Sequence, residues 1–231
     1  MYRLLSFNLS ITTPTFGKPL TIEVDESVAL GNVGNTSYYK AWNHAGTHID
    51  APAHMLLDGK PYTSFPIQDF VFHNPCLIDT PKEANQLITS EDLRPYERAV
   101  AGCDLLLLRT GFTRYRAVDP ARYRDQNPGL SVDAARYLGS SRCPLLKAIG
   151  IDTISVAAMA HLAEGVEAHK TLFRREDGSS VFLIEDVDLT ADLTHLKRVL
   201  VAPLFIEGLD SGPCTIIAEL QTDEREAGAS S

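Results

Sequence analysis

Paired cysteines, positive charge and long apolar runs are all scarce in this sequence, and each shortage excludes something. The four cysteines, Cys76, Cys103, Cys143 and Cys214, stand apart with no CxxC pair, which argues against a thiolate zinc site. They read as buried small hydrophobes. The opening residues, MYRLLSFNLSITTP, hold no apolar stretch leading to a small-residue cleavage site, so scattered thiols point to a reducing cytoplasm. Lys and Arg number 21 against 30 Asp and Glu, a net charge of -9. Such a chain repels phosphate backbones and lacks a basic patch interleaved with aromatics, so nucleic acid is not an expected partner. No run approaches the roughly 18 apolar residues that span a bilayer, so neither is a membrane.

What is present is an ordinary globular composition, 44% hydrophobic and 22% charged over 231 residues, enough for one domain with a real core. Strand signals fill the first half: residues 2–10 alternate loosely, 21–28 put Ile22 and Val24 on one face, and 36–44 are rich in Tyr and Trp. Residues 76–79 form a short apolar strand. The run CDLLLLRTG at 103–111 reads as a strand buried on both faces, because it is short and ends abruptly at Gly111. Ser131 can cap a helix with Asp133 in its first turn, and 165–174 suggest another helix. Apolar strands at 181–184, 199–206 and 215–218 close the chain. The expected fold is a mixed α/β single domain with a sheet-rich core over residues 1–220, followed by a polar, unstructured tail at 221–231.

The histidines concentrate in one place. HAGTHIDAPAH, residues 44–54, holds His44, His48 and His54 with Asp50 between them, and neutral imidazole plus carboxylate is the usual donor set for zinc and related divalent ions. Positions 44, 48 and 50 share parity, so on a strand they share a face. An extended strand would part His44 and His48 by roughly 13 Å, too far to close on one ion. The chain must therefore bend between them, and Gly46 sits midway. Pro52 keeps the following residues out of a helix, so this is not a helical HExxH arrangement. His54 is either a further ligand or a free imidazole beside the ion; histidine's ordinary pKa near 6.5 suits proton transfer.

HAGTHIDAPAH closely resembles the HxGTHxDxPxH signature of the bacterial kynurenine formamidase and cyclase family, which includes isatin hydrolase. LLLLRTGF (105–112), NPGLSVDAARYL (127–138), GIDTISV (150–156) and VLVAPLFIEGLDSGPCTIIA (199–218) resemble further family segments, so the likeness runs from about residue 9 to 218. The resemblance implies a swivelling β/β/α-type fold, a homodimer or homotetramer, and one or two zinc or manganese ions per subunit. It implies His44, His48 and Asp50 as ligands of the first ion, Asp50 as a bridge, and His169 with Glu185 completing a second site, their separation lengthened by a REDGSS turn. His161, with Glu164 and Glu167 close by, is the rival to His169. His54 would be the catalytic imidazole.

The implied activity is metal-dependent hydrolysis of an amide C–N bond in a small molecule, an aryl formamide such as N-formylkynurenine. Alternatives are a lactam or ester hydrolase, a secondary-metabolism cyclase, or a non-catalytic metal-binding protein. Two departures from the family pattern bear on the substrate: Pro213-Cys214-Thr215 stands where the family carries Pro-Val-Arg, and TPTFGKP lacks its Tyr-Pro-Gly. Away from the cluster, Arg109 reads as an ion-pair partner, Asp152 and Ser155 as structural residues beneath the site, and His73 and His195 as packing.

Overall fold

The leucine run at 105–108 sits at the middle of the molecule. In the computed structural model, which describes residues 1–221, Leu105–Arg109 is a strand with all four leucines buried. Leu106 and Leu108 face a core shared with the helices. Leu105 and Leu107 face a second core on the other side of the sheet. Fully burying one such side chain is worth about 1.5–3 kcal/mol, so the run is fixed from both faces.

Across the sheet the strands run Val71–Phe72, Leu196–Pro203, Ser211–Leu220, His48–Asp50, Phe182–Glu185, Ala148–Ile151, Leu105–Arg109 and Pro75–Asp79, with Tyr2–Leu4 added against Ser211–Leu220. The last four of that series are parallel to one another. His48–Asp50 is antiparallel to both of its neighbours. Leu196–Pro203 comes back near Pro75–Asp79, so the sheet nearly closes on itself. The helices Val132–Gly139 and Leu162–Phe173 pack together, and their buried residues join the first core. The fold is a mixed α+β domain, and no helix of the described residues is long and apolar enough to cross a membrane.

Several expected elements shift at their ends. Strand 2–10 shrinks to Tyr2–Leu4 plus a bridge at Ser6, and 36–44 ends at Lys40 because the chain must turn before His44. Helix 165–174 starts earlier, as Leu162–Phe173. Ser131 caps as expected, accepting from the Ala134 N–H, a contact worth about 1 kcal/mol. Three thiols are buried, but Cys76 is only half-buried. Burial pushes Cys103 up to about 12 and Cys143 up to about 11, which keeps them as inert thiols. The Thr21–Glu26 and Thr36–Lys40 strands pair only with each other, and every residue in them is exposed, so Ile22 and Val24 do not face a core of this chain. The tail read as unstructured lies, apart from Gln221, outside the described residues.

Candidate metal centre

The short strand His48–Asp50 carries the centre. Antiparallel register sets Glu185 opposite His48 on one side, and Ser211 opposite Asp50 on the other. Alternation then turns His48 and Asp50 to one face and Ile49 into the core. The bend expected at Gly46 is there: its φ is +69°, in the left-handed region that favours glycine. The chain reverses just ahead of the strand, and His44 Nδ1 comes to 3.0 Å from Asp50 Oδ1. Beyond the strand, Ala51 is extended and Pro52–His54 makes one 3-10 turn, which swings His54 back over His44 with ring centroids 4.3 Å apart.

The other half comes from distant segments. Helix Leu162–Phe173 touches the 155–158 loop at Gly165, where a Cβ would lie 2.4 Å from that of Ala157. One turn on, His169 Nδ1 donates to the Gly165 carbonyl at 2.7 Å, which leaves Nε2 facing Glu185 Oε1 at 3.4 Å. His48 is held the same way: Nδ1 donates to Gly46 O at 2.8 Å, and Nε2 lies 3.3 Å from Glu185 Oε2. Glu185 Oε1 also accepts from Val156 N–H at 2.8 Å and the Ser155 hydroxyl at 3.1 Å.

Of the expected site residues, His44, His48, Asp50, His54, His169 and Glu185 all converge here. Ligand atoms of His44, His48 and Asp50, and of Asp50, His169 and Glu185, form two clusters that each span less than 4.8 Å and share Asp50. His161 does not join them: it is exposed, and its Nε2 lies 3.1 Å from Asn85 O. The REDGSS segment is a turn at the surface, closed by Arg175 N–H to Ser179 O, and it lies clear of the centre. Arg109 pairs with Asp79. Asp152 accepts from Thr110 and Gly111 N–H, holding the turn after the leucine strand.

Does this donor set suit a cation? His48 Nε2 and both oxygens of Asp50 are buried without a hydrogen-bond partner; their short distances to neighbours lack hydrogen-bonding angles. An unsatisfied buried polar atom costs about 1–3 kcal/mol, and more when charged. Three such atoms, on two side chains of one buried cluster, fit a divalent ion, which takes imidazole and carboxylate together. Without one, the carboxylates draw protons onto the rings. Burial works against a charged His44, yet Asp210 and Asp50 raise it to about 10. His48 and His169 are raised against the same penalty by Asp50 and Glu185. Burial would raise Glu185, but His169 and His48 hold it well below the carboxylate range.

Sequence reasoning missed two acids. Asp210 lies just before the Ser211–Leu220 strand, and its Oδ2 is 2.8 Å from His54 Nδ1 and 3.2 Å from His44 Nε2. Asp186, buried at φ +54°, is gripped by the Arg116 guanidinium at 2.6 and 2.8 Å and by the Tyr123 hydroxyl at 2.6 Å. Its carbonyl accepts from the Thr47 hydroxyl, so this ion pair braces the residues next to both His48 and Glu185. No local motif marks either acid.

The Cyclase family model matches residues 4–158. The chain belongs to the Cyclase family. The segment matched by the family model includes His44, His48, Asp50 and His54, whereas His169, Glu185 and Asp210 lie beyond it. Among similar proteins, an uncharacterised protein of Haemophilus influenzae is 38% identical over 109 residues, covering 47% of this chain and 76% of its own. A kynurenine formamidase of Bacillus mycoides is 27% identical over 206 residues, covering 89% and 90%. The fold matches isatin hydrolase A of Labrenzia aggregata with a TM-score of 0.79 at 22% identity, over 96% of this chain and 94% of that one.

Proposed function

We propose that this chain is a metal-dependent hydrolase of an amide C–N bond, with an aryl formamide such as N-formylkynurenine as its substrate class. The observation that carries the reading is the trio of buried, unpartnered atoms, His48 Nε2 and the two Asp50 oxygens, set among three further ligand-type side chains. The formamidase relatives support the choice of bond. His44, His48 and Asp50 would hold one divalent ion, zinc or manganese; Asp50, His169 and Glu185 would hold a second. When bound, such an ion polarises a carbonyl and, in the case of zinc, brings the pKa of water down to about 7.

The chain's own residues supply the rest. Gly46 O and Gly165 O fix the rings of His48 and His169 by their Nδ1–H groups, which keeps each Nε2 as a donor atom. Val156 N–H and Ser155 aim Glu185. His54, with side-chain exposure of 24%, is open to substrate and takes the proton of the attacking water, then returns it to the leaving nitrogen.

The test is turnover of N-formylkynurenine, isatin and simple aryl esters by zinc- and manganese-loaded protein, beside His54→Ala. Formamide cleavage that falls about 10²-fold or more in the variant, with metal retained, is the expected result. Faster lactam or ester cleavage moves the substrate class. No turnover on the panel, with metal bound, leaves a metal-binding protein and ends the hydrolase reading.

A further inference from the structure

Asp210 supplies none of the ligands proposed above, yet its carboxylate touches both a ligand and the acid–base imidazole. An ionised carboxylate can only accept hydrogen bonds. The contacts at 2.8 Å to His54 Nδ1 and 3.2 Å to His44 Nε2 therefore place a proton on each of those two nitrogens, the His44 Nε2–H being shared with the Ser211 hydroxyl at 3.1 Å. The carboxylate itself cannot swivel freely. Asn43 Nδ2 donates to its other oxygen at 2.9 Å and to the Ser211 hydroxyl at 2.8 Å. Its backbone is tied to the turn that carries His54, because Asp210 O accepts from Ala51 N–H and Ala51 O accepts from His54 N–H.

We propose that Asp210 is the positioning residue of the centre: it fixes His54 as the Nδ1–H tautomer, so that Nε2 is the atom that moves the proton, and it holds His44 by Nε2–H with Nδ1 toward Asp50. This rests on the acid–base role given to His54 above. One carboxylate thereby aligns a ligand of the ion and the proton carrier on a single side-chain oxygen. Displacement of Asp210 moves both.

The tautomer is read directly from long-range 1H–15N spectra of histidine-labelled, zinc-loaded protein, with His54→Ala supplying the assignment. The expected wild-type signal is a protonated Nδ1 and a bare Nε2. In Asp210→Asn, Asn43 still donates to the side-chain oxygen, so the amide NH2 faces the rings and His54 switches to Nε2–H. On whichever substrate turns over, kcat falls about 10²-fold with KM little changed, whereas in a His54→Ala background the same substitution costs about tenfold less, the remainder acting through His44. A bare Nδ1 in the wild type overturns the proposal. So does an equal loss of kcat in both backgrounds; weaker zinc binding in Asp210→Asn is itself expected, because the amide NH2 also faces His44 Nε2. The wild-type tautomer needs neither a variant nor a substrate, so it decides the matter even if the hydrolase reading fails.

Discussion

Glu185 stands directly across an antiparallel ladder from His48, and their side chains meet at 3.3 Å on the helix-covered face of the sheet, opposite Ile49. The same carboxylate reaches His169 with its other oxygen. One strand-end acid thus links a helix histidine to a strand histidine.

Removing that charge separates the two proposed ions. Glu185→Gln should keep one equivalent of metal and lose the other, whereas Asp50→Ala, which strips the shared carboxylate, should empty both. Elemental analysis of protein purified without chelator reads the difference. Unchanged content in Asp50→Ala would remove Asp50 from the ligand set.

Metal uptake should be proton-linked. His44 is raised to about 10 in the ion-free centre, so below that pH a cation must displace its proton. Affinity therefore rises with pH, by about tenfold per unit for each proton displaced between pH 6 and 8. Calorimetric titration of zinc in buffers of different ionisation enthalpy counts the protons. A flat affinity over that range contradicts the assignment of His44.

How much of this was legible beforehand depends on distance along the chain. The shared parity of His44, His48 and Asp50, and the need for a bend at Gly46, follow from adjacent residues, and the leucine strand declares itself by its own burial pattern. Asp210 is one acid among 30, 156 residues from the imidazole it holds. Only the pairing of Ser211–Leu220 with His48–Asp50 brings it there, and register between remote strands has no local signature. Ile22 and Val24 do share one face of a strand, Thr21–Glu26, but alternation alone does not say whether such a face is covered, and both are exposed here.

The bend itself can be tested. A Cβ at Gly46 would come 2.9 Å from Leu9 Cδ1 on a backbone at φ +69°, and the left-handed conformation costs a non-glycine residue about 1–2 kcal/mol. Gly46→Ala should lower the melting temperature by roughly 2–8 °C and weaken metal binding, because His44 is carried on the bend. Differential scanning calorimetry with metal analysis checks both. A variant as stable and as metal-loaded as the parent would show that the bend is not needed.

The exposed ribbon predicts assembly. Ile22 lies opposite Tyr39 in its register, and Ile22, Val24, Tyr38 and Tyr39 are 60 to 67% exposed, yet an isolated two-stranded ribbon is marginal in water. A second copy of the chain is the expected cover, giving a homodimer or homotetramer. Sedimentation at micromolar concentration should show it, and Ile22→Asp with Tyr39→Asp should dissociate it. A wild-type monomer would leave the ribbon without that explanation.

The three-residue strand at the heart of the centre is zipped to neighbours on both edges, and side chains alternate along it. Losing or gaining one residue between Gly46 and Asp50 would rotate Ile49 into the polar centre and bury His48 and Asp50 in hydrocarbon. Such a stretch can drift by replacement but not by insertion or deletion, whereas the turn at Gly178 can lengthen freely. The centre is therefore brittle to changes in length at one of its segments and indifferent to them at another, which is why spacing within HAGTHIDAPAH carries information that the interval from His169 to Glu185 does not.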